Sequence, residues 1–404
     1  MKILYIHQHF MTPDKSGATR SYWISRELIR RGHQVTMITS TTGRNPQPCR
    51  LHIDGIDVVY VKNSYSNYMS ASRKVLSFVN FVRKAISAAK REKDVDLVYA
   101  TSTPLTVGLI AMYLKRRYKW KYIFEVRDLW PEFPIQIGAV KNSLLIWLLR
   151  KLEKSIYERA EHVVALSPGM KDGIVETGVA ESKVSVIPNM SKPDIYFPHE
   201  PDLNIANRFG IDLEKFNVLH FGAMGRANNL RYIIDAAKIM WDRGDRSVCF
   251  VMMGGGAMKP LLKKQVKECG IGNVLFLDYH PMAVVAEVLN LCDLTIVSFL
   301  NLPILQTNSP NKLFDSLSAG KPIVVNSSGW TKDIVEQGNC GFYVDPEKPE
   351  EMAMKILAIK DNSEQLKCWG ENARRLSMEI YDKKILTAQV ADIVERFACN
   401  HICS

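Results

Sequence analysis

Lys312 and Asp315 lie three residues apart in the stretch QTNSPNKLFDSLSAGKPIVVNSSGW, residues 306–330, whose pattern suits an anionic, hydroxyl-rich ligand. Pro310 fits the first turn of a helix, where its missing N–H costs nothing, and Ser309 just before it can cap. Leu313, Phe314 and Leu317 form one apolar face, Gly320 and Pro322 stop the helix, and Ile323-Val324-Val325 reads as a covered parallel strand. A helix start of this kind presents unpaired N–H groups and a positive dipole end to an anion. A lysine in that first turn is unfavourable unless an anion is near, and Asp315 one turn on is placed to accept from sugar hydroxyls. The same residues also fit an ordinary strand-loop-helix-strand unit with Lys312 and Asp315 merely solvated. A second constellation is glycine-rich: Gly222 and Gly225 before Arg226, and Gly254-Gly255-Gly256, follow two apolar runs, where turn glycines let backbone amides approach phosphate. A third follows the run Tyr122–Val126, where Arg127, Asp128 and Glu132 stand just past a strand's carboxyl end. There Asp128 can bind a ligand hydroxyl or cap the next turn.

The elements that must carry these residues alternate strand and helix. Lys2–His7, Gln34–Thr39, Leu97–Ala100, Tyr122–Val126, His162–Leu166 and VSVIPN at 184–189 read as strands. Four prolines between 188 and 201 mark a linker, after which Asn217–Phe221, Val248–Met253, Val274–Leu277 and Leu294–Ser298 restart the alternation. A chain of 404 residues exceeds one ordinary core, so the expectation is two doubly wound α/β domains, 1–192 and 198–379. No GxGxxG follows the first strand; a loop from His7 to Ser16 leads instead to Gly17, with Arg20 beyond it in reach of an anion, which argues against a dehydrogenase. Eight cysteines without a CxxC pair suit a reduced, cytoplasmic protein better than a disulfide framework, and the tail Cys399–Cys403 is a weak metal candidate. The formal net charge of +11 favours anionic partners, and without zinc-finger or RNA-binding signatures those are phosphate or anionic lipid rather than nucleic acid. No apolar run is long enough to span a membrane, and neither a signal peptide nor a transmembrane helix is expected. Two stretches suit its surface: Arg73–Arg91, with Val75, Phe78, Val79, Val82, Ala85, Ile86 and Ala89 at helical spacing between basic flanks, and LLIWLLRK at 144–151. Both also read as helices packing on a sheet.

The segment DSLSAGKP, Asp315–Pro322, resembles the second half of the donor-binding motif of the GT-B retaining glycosyltransferases of family 4, with Asp where that motif has its second Glu and Thr307 where it has its first. SPNKLFD and RDLWPE are similar to a bacterial subgroup that builds O-antigens and capsules, with Arg127 in the place of a frequent His, and VIPN with Met190 resembles the family's VIPNG. The resemblance implies a GT-B fold, two Rossmann-like domains facing across a cleft, with a C-terminal helix, 380–398, packing back on the first. It implies a UDP-sugar donor bound by Gly222, Gly225, Gly254, Gly255, Thr307, Asn308, Ser309, Pro310, Asn311 and Asp315. Gly17, Arg20, Arg127 and Glu132 then fall on the acceptor side, with Ser16 in place of the first glycine of a pair. Family members carry a basic pair at positions held here by Ala223 and Asn228, so Arg226 and Lys312 are expected to neutralise the diphosphate, with Asp128 orienting the acceptor. With no Asp-x-Asp at a strand end, neither metal nor other cofactor is expected. The implied reaction transfers a sugar, of the N-acetyl-L-fucosamine type, to a polyprenyl-diphosphate-linked acceptor at the inner face of the cytoplasmic membrane. A UDP-sugar 2-epimerase and an inactive nucleotide-sugar-binding scaffold share the architecture.

Overall fold

The computed structural model describes residues 1–15, 17–41, 48–65 and 69–398. Ser16 and the Cys399–Cys403 tail therefore lie outside the described residues.

The chain divides into two compact units, one of Met1–Thr12, Ala18–Pro188 and Lys384–Ser404, the other of Pro13–Gly17 and Asn189–Lys383. In the first, strands β1 (Lys2–Ile6), β2 (Gln34–Ser40), β3 (Cys49–Ile53), β4 (Ile56–Val61), β5 (Leu97–Thr101), β6 (Lys121–Val126), β7 (His162–Ala165) and β8 (Val184–Val186) form one sheet. Its order is β3-β4-β2-β1-β5-β6-β7-β8, parallel throughout except for the β3–β4 hairpin. That hairpin was not read from the sequence, although Asp54 and Gly55 at φ 48° and 85° form the kind of Asp-Gly turn that signals one. In the second unit, β9 (Phe216–Ala223), β10 (Val248–Gly255), β11 (Val274–Leu277), β12 (Leu294–Val297), β13 (Ile323–Val325) and β14 (Gly341–Tyr343) form a parallel sheet ordered β11-β10-β9-β12-β13-β14.

Alternation decides which residues each sheet buries. Along β9 and β10, Val218, Phe250 and Met252 enter one apolar cluster while Leu219, Val251 and Met253 enter another on the opposite face. Both faces are covered, as an all-parallel sheet requires. In each unit the chain order reverses once, between β1 and β5 and between β9 and β12. Loops leaving the carboxyl ends of such a strand pair diverge and open a crevice, the usual ligand position in doubly wound sheets.

Helix α1 (Arg20–Arg30) follows β1, and α2 (Ala71–Ala89) follows the hairpin. The α2 face that packs on the sheet carries Ser77, Phe81, Ala85 and Ala89, all buried, whereas Val75, Leu76 and Val79 are exposed. The expected apolar stripe is thus divided, because the helix turns a narrower face, Phe81 flanked by small residues, inward. Helix α3 (Ser143–Arg159) buries only its second half, through Glu153, Ile156 and Tyr157; Leu144, Leu145, Trp147 and Leu148 on its first two turns are exposed. Helix α4 (Leu230–Asp242) follows β9 and α5 (Asn311–Ser318) follows β12. The last helix, α6 (Lys383–Ala398), joins the first unit from Lys384 on, where Arg31 meets Asp392 at 2.6 Å and Glu395 at 2.9 Å.

Candidate active site

The second unit's crevice gathers the glycines after β9 and the segment between β12 and α5. Lys312 is half-buried, and its Nζ donates to Asn228 Oδ1 at 3.2 Å; no carboxylate pairs with it among the described residues. The resemblance places a basic residue at Asn228, so Lys312 brings its charge to that position from the first turn of α5. Burial, with no counter-charge, pulls its pKa from 10.5 down to about 7. His220, buried on β9, is kept neutral first by its own burial and then by the Lys312 charge. Arg226 opens a short turn, Arg226–Asn228, and is exposed with no ion-pair partner among the described residues.

The glycines sort into two kinds. A Cβ on Gly222, at φ 108°, would meet only Lys312 Cε at 3.9 Å, and one on Gly225 only Asn228 Nδ2 at 3.7 Å. These two face open space beside the cations, as close approach to a phosphate demands. Gly254 differs: its Cβ would lie 1.9 Å from the Gly222 carbonyl oxygen. At Gly255 a Cβ would strike the Tyr279 ring at 2.9 Å. For Gly254 the packing of the β9 and β10 ends, and for Gly255 the Tyr279 ring beyond β11, account for glycine without a ligand.

The α5 start also departs from expectation. Pro310, at φ −77° and ψ 130°, caps the helix rather than occupying its first turn, and makes no side-chain cap bond. Ser309 does not cap; its Oγ accepts from the Asn189 backbone N–H at 3.0 Å. Asn311 takes the first helical position. Thr307 donates to the Ile304 carbonyl at 2.8 Å, which fixes its hydroxyl oxygen to one rotamer, while the half-buried Asn308 side-chain amide has no bonded partner among the described residues. Asn326, unremarked in the sequence, holds the loop after β12: it accepts from Phe299 N at 2.7 Å and donates to Ser298 Oγ at 3.1 Å. Asp315 is not solvated. It is buried, its Oδ1 takes Lys192 Nζ, and Oδ2 has no bonded partner among the described residues. Burial raises its pKa and Lys192 opposes that rise.

In the first unit, Asp128 follows β6 and accepts from Thr103 Oγ1 at 2.7 Å through Oδ2. Burial raises its pKa, against the lowering effects of Thr103 and Arg127. Arg127 reaches His7 Nε2 at 3.4 Å, so His7 donates through Nδ1 to Ser21 Oγ at 2.8 Å and burial keeps it neutral. The sequence reading missed His7, although it stands directly after the first strand. Arg20 is corrected: wholly buried, it pairs with Glu125 at 2.9 Å and donates to the Ile187 carbonyl at 3.0 Å and to that of Pro188, so it is a structural clamp without access to a ligand. Glu132 is likewise engaged, by Arg150 at 2.6 Å. Gly17 adopts φ 143° and groups with the second unit. Among the described residues no three His, Cys, Asp or Glu side chains gather as metal ligands would.

Known proteins resemble both units. Residues 17–190 match the model of the glycosyl transferase 4-like domain and residues 203–376 that of glycosyl transferases group 1. The probable glycosyltransferase WbjE of Pseudomonas aeruginosa is 23% identical over 354 residues, 85% of this chain and 86% of the relative. The putative colanic acid biosynthesis glycosyl transferase WcaI of Escherichia coli K12 is 26% identical over 198 residues, 48% and 47% of the two chains. Among solved structures, sucrose-phosphate synthase from Thermosynechococcus elongatus superposes with a TM-score of 0.79 at 16% identity, covering 98% of both chains. Anabaena HepE in complex with UDP-glucose gives 0.74 at 18% identity, over 98% of this chain and 100% of that one. The fold is accordingly GT-B, two Rossmann-like domains whose sheets are parallel apart from the β3–β4 hairpin.

Proposed function

This chain is a glycosyltransferase, 4-like in its first domain and group 1 in its second, and from there we propose that it transfers a sugar, with retention, from a UDP-sugar to a polyprenyl-diphosphate-linked acceptor. Lys312 carries this reading. A half-buried ammonium held by one amide oxygen and no carboxylate, above an open glycine at the β9/β12 crevice, is costly to keep unless an anion completes it. A donor diphosphate is such an anion, and its charge grows as the glycosidic bond breaks. Lys312 and the exposed Arg226 then stabilise the departing diphosphate, an interaction stronger in the transition state than in the ground state. Oδ2 of Asp315 accepts from the ribose hydroxyls. Thr307 and Asn308 face the donor sugar; with Thr where the family motif has a carboxylate, one strong acceptor fewer suits an N-acetylated deoxyhexose such as N-acetyl-L-fucosamine. In the first domain Oδ1 of Asp128, with no bonded partner among the described residues, receives the acceptor hydroxyl. The extracellular-polysaccharide setting draws support from the relative WcaI, described as a putative colanic acid biosynthesis glycosyl transferase.

The acceptor's lipid places the reaction at a membrane. Among the described residues no helix is long and apolar enough to cross one, so the first domain docks by its surface. Trp147 and Leu148 of α3 and Leu76 and Val79 of α2 are exposed, and a groove of about 540 Å³ along α2 is lined by Lys62, Arg73, Arg83 and Lys84. Apolar insertion beside basic groups is how amphipathic helices hold anionic lipid. The test is a screen of UDP-sugars against a polyprenyl-diphosphate-linked GlcNAc acceptor, expected to yield one extended product with retained configuration. Turnover of UDP-GlcNAc without acceptor would point to epimerisation instead, and binding without turnover to a scaffold.

A further inference from the structure

The donor helix is strapped to the segment at which the chain enters the second unit. Asn189 N donates to Ser309 Oγ at 3.0 Å, Ser191 Oγ to the Phe314 carbonyl at 3.0 Å, and Lys192 N to Ser318 Oγ at 2.9 Å. The returning segment meets the same strap, Ser191 N donating to Tyr381 O at 2.7 Å and Lys383 N to Ser191 O at 3.0 Å. These bonds fix where the Lys192 backbone lies along α5, and the side chain then has one destination. Its ammonium binds Oδ1 of Asp315, reaches the Met190 carbonyl at 3.5 Å and lies 5.6 Å from the Tyr196 ring centre. Lys192 is 4% exposed and Asp315 8%.

We infer that Lys192 is a positioning residue of the donor site: by holding Oδ1 of Asp315 it turns Oδ2 toward the nucleoside's 2′,3′-diol and so sets the preference for ribonucleotides over their deoxy forms. The inference rests on the donor reading of Asp315 given above. A carboxylate this buried with no counter-charge would take up a proton, and a protonated acid is a poor acceptor for two hydroxyls. With one oxygen fixed by an ammonium, the other is an ionised acceptor of fixed direction. Hydrogen bonds from the ribose diol to it are charge-assisted. A deoxynucleotide leaves it unmatched. Lys192 itself touches no ligand in this scheme and acts through Asp315.

The test compares UDP with 2′,3′-dideoxy-UDP by calorimetry on the full chain. The wild type should favour UDP by about 10-fold or more, the scale of a hydrogen bond to a charged group. Lys192→Met should lower UDP affinity by a similar factor, leave dideoxy-UDP affinity alone, and so abolish the discrimination. Lys192→Arg should restore most of it. The pair Lys192→Met with Asp315→Leu, which removes both buried charges, should fold and bind the two nucleotides equally. If Lys192→Met does not fold, Lys192→Gln is measured in its place against the same expectations. Discrimination that survives loss of the ammonium, or affinities for both nucleotides that fall together, overturns the inference while leaving the donor site standing. A wild type that binds UDP without discriminating overturns the ribose role of Asp315, and one that binds no UDP overturns the donor reading itself.

Discussion

Replacing Lys312 by Met should make the protein more stable and less active, and the two effects have one cause. Burial takes the Lys312 pKa from 10.5 to about 7. At about 1.36 kcal/mol per pH unit the cost of holding the ammonium charged at neutral pH is on the order of 4 kcal/mol, and solvent reaching the half-buried side chain reduces this to roughly 2–3 kcal/mol. The folded-state pKa lies below the unfolded one, so the penalty is complete below about pH 7, shrinks as the pH rises toward 10.5 and vanishes above it. Met keeps the side-chain length and removes the charge. The melting transition of the second domain should rise by roughly 5–10 °C at pH 6.5, since 1 kcal/mol moves a domain of this size by about 2–4 °C, and by clearly less at pH 9. Turnover should fall on the order of 10²-fold or more, the usual consequence of removing one group that stabilises a developing anion. Calorimetric scans at the two pH values and initial rates with saturating donor measure both quantities. A Lys312→Met protein that melts lower than wild type at pH 6.5, or melts higher without losing turnover, refutes the assignment: the first outcome makes the lysine a structural residue, the second a cost without a function.

Other expectations are briefer. Arg226→Ala, at an exposed side chain, should leave the melting temperature unchanged while lowering turnover more than donor affinity, by a factor of about 10²; equal losses in both would make it a plain binding contact. Affinity for the UDP-sugar donor should be greatest below pH 7 and fall as the pH rises past that point, because an anion is bound by protonated Lys312 and raises its pKa; a flat profile from pH 6 to 9 excludes Lys312 as the anion's partner. Changing Arg83 and Lys84 together to Ala should weaken binding to anionic vesicles, each basic group near the surface being worth about 1 kcal/mol before screening, with soluble-donor affinity intact. Arg150 should matter less than Lys151 in the same assay, since it is already paired with Glu132; wild-type protein that stays in solution with such vesicles at low salt rules out surface docking.

Much of this molecule is written locally. Apolar runs separated by turn residues place most of the strands, and an unbroken run such as Ile323–Val325 announces a strand buried on both faces because nothing polar interrupts it. Gly320 and Pro322 stop α5 by rules that involve only neighbours. What the sequence by itself determined is therefore which segments are strand or helix, and where polar residues leave strand ends. Partners are another matter. Arg20 reads as a free cation in a loop-helix start and is in fact closed on Glu125, 105 residues away, and on the carbonyls of Ile187 and Pro188. Asp315 reads as an open acceptor and is held by Lys192, 123 residues away. Gly254 reads as a phosphate glycine and is required by the carbonyl of Gly222 in the next strand. Periodicity reports that a side chain is buried, and never by what. Only the tertiary structure decides that, because strand order and the strap at 189–192 bring together groups whose mutual distance no local pattern encodes, and in a low-dielectric interior that distance settles whether a charge is spent on its own fold or left for a ligand.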